Sequence, residues 1–151
     1  MKNKELGDFG EQFVAKNVPC PKCKRPKTLR CLPTNFKCAD LICDFCGYLA
    51  QVKTTQSKSA SLPKALLGGA WGPQSERMKS GIYFPLFVVL VNEGSVSQIY
   101  FLPSDLQTEG MFRPRKPLSK DAKRAGWQGF LIDTHSVAER FHKIEIKEKK
   151  S

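Results

Sequence analysis

Residues 38–55 read CADLICDFCGYLAQVKTT, and this stretch governs how the rest of the chain is understood. Cys43 and Cys46 form a Cys-x-x-Cys knuckle, and the run from Gly47 to Thr55 that follows is rich in β-formers. In a strand, residues two apart share a face, so Gln51 and Lys53 project together while Val52 turns into apolar packing. If the knuckle is the turn between two antiparallel strands, Asp40 comes back beside that pair. A carboxylate, an amide oxygen and an amine then meet at one point, a combination suited to Mg²⁺ and a phosphodiester.

Working outward, Cys20-Pro-Lys-Cys23 repeats the knuckle, and nineteen residues separate the two pairs. That interval is the one expected of a four-cysteine zinc site built from Cys20, Cys23, Cys43 and Cys46. The start MKNKELGDFG is too polar for a secretory signal, and no apolar run approaches the roughly 20 residues that a spanning helix needs. A cytoplasmic location with no membrane partner is therefore expected, and in that compartment six cysteines argue for metal rather than disulfides. Cys31 and Cys38 are left over and read as packing residues on the strands between the knuckles. Residues 20–46 thus read as a zinc ribbon, with short strands near 28–32 and 36–42 and a turn at Pro33, Thr34 and Asn35.

On the N-terminal side, Leu6, Phe9, Phe13 and Val14 fall at helical spacing and predict a helix over 3–17 that packs on a sheet. Glu11 lies toward the edge of that stripe, either as a solvated charge or as a carboxylate leaning over the sheet toward the site. On the C-terminal side, a strand over 48–55 gives way to a stretch rich in Ser, Gly and Pro. There the pattern predicts a short helix near 62–67, a break at Gly68, Gly69 and Gly72, and a helical turn from Pro73 to Lys79. FPLFVVLV, 84–91, is a nearly continuous apolar run and predicts a central strand covered on both faces. Glu93-Gly94 turns the chain into a partner strand over 97–102, and Pro103-Ser104-Asp105 opens a short helix. Phe130 to Asp133 reads as an edge strand, and THSVAERFHKI reads as a closing helix with His135 and His142 on the surface.

At 151 residues the chain is expected to form one domain over 1–145 with a basic tail over 146–151. Lys and Arg number 25 against 14 Asp and Glu, a formal charge of +11 that places polyanions first among partners. Lys22, Lys24, Arg25, Lys27 and Arg30 follow the first knuckle as either a solvated face or a phosphate contact. Arg113, Arg115, Lys116, Lys120, Lys123 and Arg124 form a second concentration before Gly126-Trp127. Ser119 is placed to cap a helix on which Lys120, Lys123 and Arg124 share a face, the pattern of a contact that tracks a DNA backbone. Trp127 itself reads as core.

Two stretches, ADLICDFCGYLAQVK and RKPLSKDAKRAGWQGFLID, resemble the Dam-replacing family of DpnI-like restriction endonucleases, within the PD-(D/E)XK nuclease superfamily. The likeness extends more weakly to the helix containing Glu11 and to Cys20-Pro-Lys-Cys23. It implies an α/β fold, a mixed central sheet flanked by helices with an inserted zinc ribbon. It further implies a prokaryotic or phage origin, double-stranded DNA as partner, Mg²⁺ as catalytic cofactor and Zn²⁺ as structural cofactor. Asp40 would be the first metal-binding acid and Lys53 the lysine beside the attacking water, while Cys20, Cys23, Cys43 and Cys46 would hold the zinc. Gln51 stands where the family has a glutamate, which weakens the hold on Mg²⁺ because an amide offers only a neutral oxygen. Glu11 is the residue that could supply the missing carboxylate.

The resembled enzyme carries a further C-terminal winged-helix domain that helps read methylated DNA. With no room expected for it here, methyl-adenine specificity is not carried over. The implied activity is a Mg²⁺-dependent endonuclease of type II restriction kind, and cutting both strands allows a homodimer. The rival readings are a zinc-ribbon DNA-binding protein with an inactive nuclease site, which Gln51 favours, and an RNA-binding zinc ribbon, which leaves the 84–91 strand unexplained.

Overall fold

The computed structural model describes residues 2–33, 36, 39–115 and 127–146. In chain order its elements are α1 (Asn3–Asn17), β1 (Leu29–Cys31), β2 (Leu41–Cys43), β3 (Leu49–Gln56), β4 (Ala65–Trp71), α2 (Gly72–Lys79), β5 (Leu86–Asn92), β6 (Ser95–Leu102), β7 (Phe112–Pro114), β8 (Trp127–Asp133) and β9 (His142–Ile144). They form two sheets, a six-stranded one in the order β1-β2-β3-β5-β6-β9 and a three-stranded one in the order β4-β8-β7. The β3–β5 pair is parallel and the other strands of the large sheet pair antiparallel, so it is mixed.

The apolar run at 84–91 behaves as its composition requires. Every residue from Leu86 to Val91 is buried, and alternate residues serve opposite cores. Phe87, Val89 and Val91 pack with Leu6, Val14 and Val52 beneath α1, whereas Leu86, Val88 and Leu90 pack with Leu66, Met111 and Ile132 of the second sheet and its connections. A two-residue turn with positive φ at Glu93 (50°) and Gly94 (80°) returns β5 into β6, the geometry that matches strand twist in a hairpin.

Four expectations are corrected. Residues 62–67 are not a helix: ALLGGAW is β4, and it pairs with all of β8, from Ala65 opposite Asp133 to Trp71 opposite Trp127. Long-range pairing overrides local propensity here, and Gly68 and Gly69 lie inside the strand rather than breaking the chain. Phe130 to Asp133 belongs to the middle strand of the second sheet, not an edge, because β4 and β7 flank it. The segment after Thr134 forms short 3-10 turns over His135–Arg140 and then β9, rather than one helix. Cys31 is exposed and not a packing residue, since β1 buries only Leu29. Cys38, most of the 33–35 turn and the Ser119 helix fall outside the described residues.

One contact sets how closely α1 approaches the sheet. A Cβ at Gly10 would lie 1.8 Å from Thr54 Oγ1 and 2.8 Å from Thr54 Cβ, so the helix sits on β3 with no room for a methyl group. Gly10→Ala is expected to cost about 1–3 kcal/mol in denaturant unfolding, with part of the loss recovered in Gly10→Ala/Thr54→Ala. An unchanged midpoint in the single variant would show that α1 does not dock this tightly.

Candidate active site

The two knuckles are built alike. Lys24 N–H donates to Cys20 O at 2.9 Å and Gly47 N–H donates to Cys43 O at 2.9 Å. Both closing residues are left-handed, with φ of 66° at Lys24 and 80° at Gly47. This geometry turns each pair of sulfurs inward. The four Sγ atoms of Cys20, Cys23, Cys43 and Cys46 lie within 4.8 Å of one another, with Cys20 to Cys46 at 3.6 Å and Cys23 to Cys43 at 3.8 Å. A tetrahedral site with zinc-to-sulfur bonds of about 2.3 Å has sulfur edges of about 3.8 Å, so these residues fit a closed four-sulfur metal site.

The thiols by themselves are in conflict. Burial pushes Cys20 up to about 12. At Cys43 burial also works against ionisation, but the Thr28 hydroxyl 3.2 Å away and the Cys46 and Phe45 amides bring it down to about 6. A cation favours the thiolate at every sulfur and removes the conflict.

The second knuckle is also the turn of the β2–β3 hairpin, with Leu41 opposite Ala50 and Ile42 opposite Leu49. Asp40 N–H continues the ladder to Ala50 O at 3.0 Å. One step further the Asp40 side chain takes over, and its Oδ2 accepts the Val52 N–H at 2.8 Å. The carboxyl is thereby locked against β3. Burial raises its pKa, and the Val52 amide and Lys53 oppose that rise.

Val52 is buried beneath α1, so Gln51 and Lys53 face the other way, toward the second sheet. Asp40, Gln51 and Lys53 line one cleft of about 140 Å³. Gly68 and Ile132 of the second sheet and Arg77 and Met78 of α2 line it as well. Gly68 sits close there: a Cβ would lie 3.1 Å from Ile132 Cδ1, which would have to yield slightly, and in ordinary contact with Lys53 Cε at 3.5 Å.

Glu11 joins this group from α1. Burial raises its carboxyl to about 7, with further pushes from Asp40 and then Asp8 and a smaller pull from Lys53. Half-buried Glu11 is not among the residues that line the cleft, although Asp40 and Lys53 both act on its carboxyl. A sequence model described as "DpnI: Dam-replacing family" matches residues 2–151. The chain belongs to the Dam-replacing family. Among solved structures, the Holliday junction resolvase Hjc of Archaeoglobus fulgidus is 14% identical, covering 95% of this chain and 93% of its own, with a TM-score of 0.39. A restriction endonuclease in complex with substrate DNA is 13% identical, covering 98% of this chain and 86% of its own, with a TM-score of 0.39.

In this member of the Dam-replacing family a mixed sheet with helices carries the clustered cysteines, an α/β arrangement as expected. Arg113 and Arg115 of the basic set are exposed on and just after β7, whose Phe112 lines the cleft; Arg113 pairs with Asp133 at 2.9 Å. Lys116, Lys120, Lys123 and Arg124 lie outside the described residues. Arg77 is a cleft residue that sequence reasoning missed, because no periodicity or spacing marks it among 25 basic residues.

A carboxyl raised to about 7 from its usual 4.5 stabilises the fold fully below pH 4.5 and loses that contribution as pH rises through 7. In Mg²⁺-free buffer Glu11→Gln is therefore expected to melt above the wild type at alkaline pH. The gap should close as the pH falls toward 4.5, followed by circular dichroism melts. A gap independent of pH would show that burial does not raise the Glu11 carboxyl in the folded protein.

Proposed function

We propose that the chain is a DNA endonuclease that hydrolyses phosphodiester bonds in duplex DNA with Mg²⁺, in the manner of a type II restriction enzyme. The observation that carries the reading is the convergence of Asp40, Gln51 and Lys53 on one cleft at the base of the metal-stapled hairpin. Family membership supports it, as does a formal charge of +11.

Asp40 and the Gln51 side-chain oxygen would hold Mg²⁺, with Glu11 as the carboxylate that Gln51 does not provide. Bound there, Mg²⁺ would supply Lewis acidity toward the phosphodiester and lower the pKa of water. Lys53 orients the attacking water and offsets the charge that grows on the phosphate. The water oxygen bonds to phosphorus, the phosphorus bond to the leaving deoxyribose oxygen breaks, and that oxygen takes a proton as the water gives one up. The four cysteines would hold Zn²⁺ as scaffold, since a closed four-sulfur set leaves no open position for substrate. Arg113 and Arg115, with the basic residues that follow, track the DNA backbone. One cleft cuts one strand, so a double-strand cut calls for two copies or two encounters.

Purified protein with about one zinc per chain is expected to nick supercoiled plasmid in Mg²⁺ or Mn²⁺. Asp40→Asn keeps an oxygen for the Val52 amide, so it separates charge from structure better than Asp40→Ala. Asp40→Asn and Lys53→Ala should each slow cleavage by about 100-fold or more with little change in melting. Gln51→Glu should preserve or raise the rate. No nicking on methylated or unmethylated plasmid or phage DNA, with binding retained, would favour the second reading, a DNA-binding relative whose site Gln51 has disarmed.

Zinc removal is the separate test of the scaffold. Stripping the metal with a chelator, or Cys20→Ser, is expected to lower the melting temperature and the helical and strand signal together. Unchanged melting after metal loss would leave the cysteine cluster without a structural role.

A further inference from the structure

Arg77, on the last turn of α2, carries a donor that the fold does not use. Its main chain is committed: Arg77 O accepts the Ser80 N–H at 3.1 Å and the Ile82 N–H at 2.8 Å, closing the helix into the turn at Gly81. One nitrogen of its guanidinium is not. Nη1 is buried with no hydrogen-bond partner, and among the described residues Arg77 enters no ion pair. Arginine cannot escape such a position by losing its proton. The helix C-terminus favours a cation nearby, yet that effect would be met equally by an arginine reaching into solvent.

The donor stands in a particular place. Arg77 lines the same cleft as Asp40, Gln51 and Lys53. The acid that lines it is engaged, since Asp40 Oδ2 accepts the Val52 amide. Around Arg77 the wall is apolar, formed by Met78, Ile82, Tyr83 and Phe112, and Tyr83 stacks on Phe112 with centroids 5.3 Å apart. A guanidinium held among such side chains binds an oxyanion more strongly than one in water, and its planar fork matches phosphate.

We propose that Arg77 is the phosphate-binding residue of the cleft, donating to a non-bridging oxygen of the phosphodiester lodged beside Asp40, Gln51 and Lys53. The assignment rests on the nuclease reading for the identity of the ligand, while the unused donor stands independently of it. With Gln51 neutral, the cleft carries less negative charge to repel the phosphate, and Arg77 adds a positive charge.

Arg77→Met keeps the stem and removes the fork; Arg77→Lys keeps the charge alone. Single-turnover cleavage is expected to fall about 100-fold in Arg77→Met and less in Arg77→Lys, while affinity for a duplex in Ca²⁺ changes by only a few-fold because many other phosphate contacts remain. The free zinc-loaded Arg77→Met protein should melt at or above the wild-type temperature, because an unsatisfied buried donor has been removed. A purely structural arginine would give a lower melting temperature, and that result, or cleavage within about threefold of wild type, overturns the assignment. Lys58→Met, an exposed loop substitution, serves as the control.

Should the wild type cleave nothing, inorganic phosphate remains as a probe. A rise in wild-type melting with phosphate over chloride at matched ionic strength, absent in Arg77→Met, would keep the anion site while the nuclease reading falls. No such rise in the wild type would remove the anion site as well.

Discussion

Where β2 and β3 part, the Asp40 carboxylate accepts the Val52 N–H at 2.8 Å and stands in for the next rung of the ladder. A buried backbone amide left without a partner is costly, so β3 has a structural need for an oxygen at this point. Meeting that need with a carboxylate places a negative charge one residue from Gln51 and one from Lys53. The four-cysteine cluster reinforces the arrangement by closing the same hairpin against the chain before β1, which fixes the register, Leu41 opposite Ala50, from which the Asp40 carboxyl reaches the Val52 N–H. Fold and candidate chemistry therefore share one hydrogen bond, and a shift of register by one residue would turn Gln51 and Lys53 toward α1.

Around that bond the protein holds charges in places that do not suit them. Glu11 is raised to about 7 and Asp40 is raised by burial, while Arg77 buries a donor it cannot satisfy. Structural ion pairs relieve such strain; here Asp40, Lys53 and Arg77 line one cleft and, among the described residues, form none. Groups arranged at odds with the stability of the free protein are what a ligand-binding site requires, because the ligand then supplies the missing partner. A divalent cation beside Asp40 and Glu11 and a phosphate beside Arg77 and Lys53 would each settle an imbalance that the free chain carries.

Much of this was legible residue by residue. The 3.6-residue stripe of Leu6, Phe9, Phe13 and Val14 marked α1 at its observed bounds, and the unbroken run at 84–91 marked a strand buried on both faces. The cysteine spacing marked the metal cluster, and the period of two marked Gln51 and Lys53 as a pair facing away from Val52. Less was legible in ALLGGAW, where weak local preference left a helix and a glycine break as the better reading. Its strand exists because WQGFLID, about sixty residues later, offers seven rungs of pairing. No local pattern encodes that partnership, and with it came the whole second sheet and its share of the cleft.

The amino-acid order by itself determined the parts whose cause is local: the helix from its apolar period, the knuckles from paired cysteines, the shared face of Gln51 and Lys53 from strand pleat. Only the tertiary structure decided what those parts face. That Asp40 and Lys53 act on Glu11 follows from how closely Gly10 lets α1 settle on Thr54, and Arg77 lines the cleft because α2 directly follows a strand paired with a distant one. Such placements arise from contacts between residues far apart in the chain, where the physical cause is close packing rather than any preference of the residues concerned.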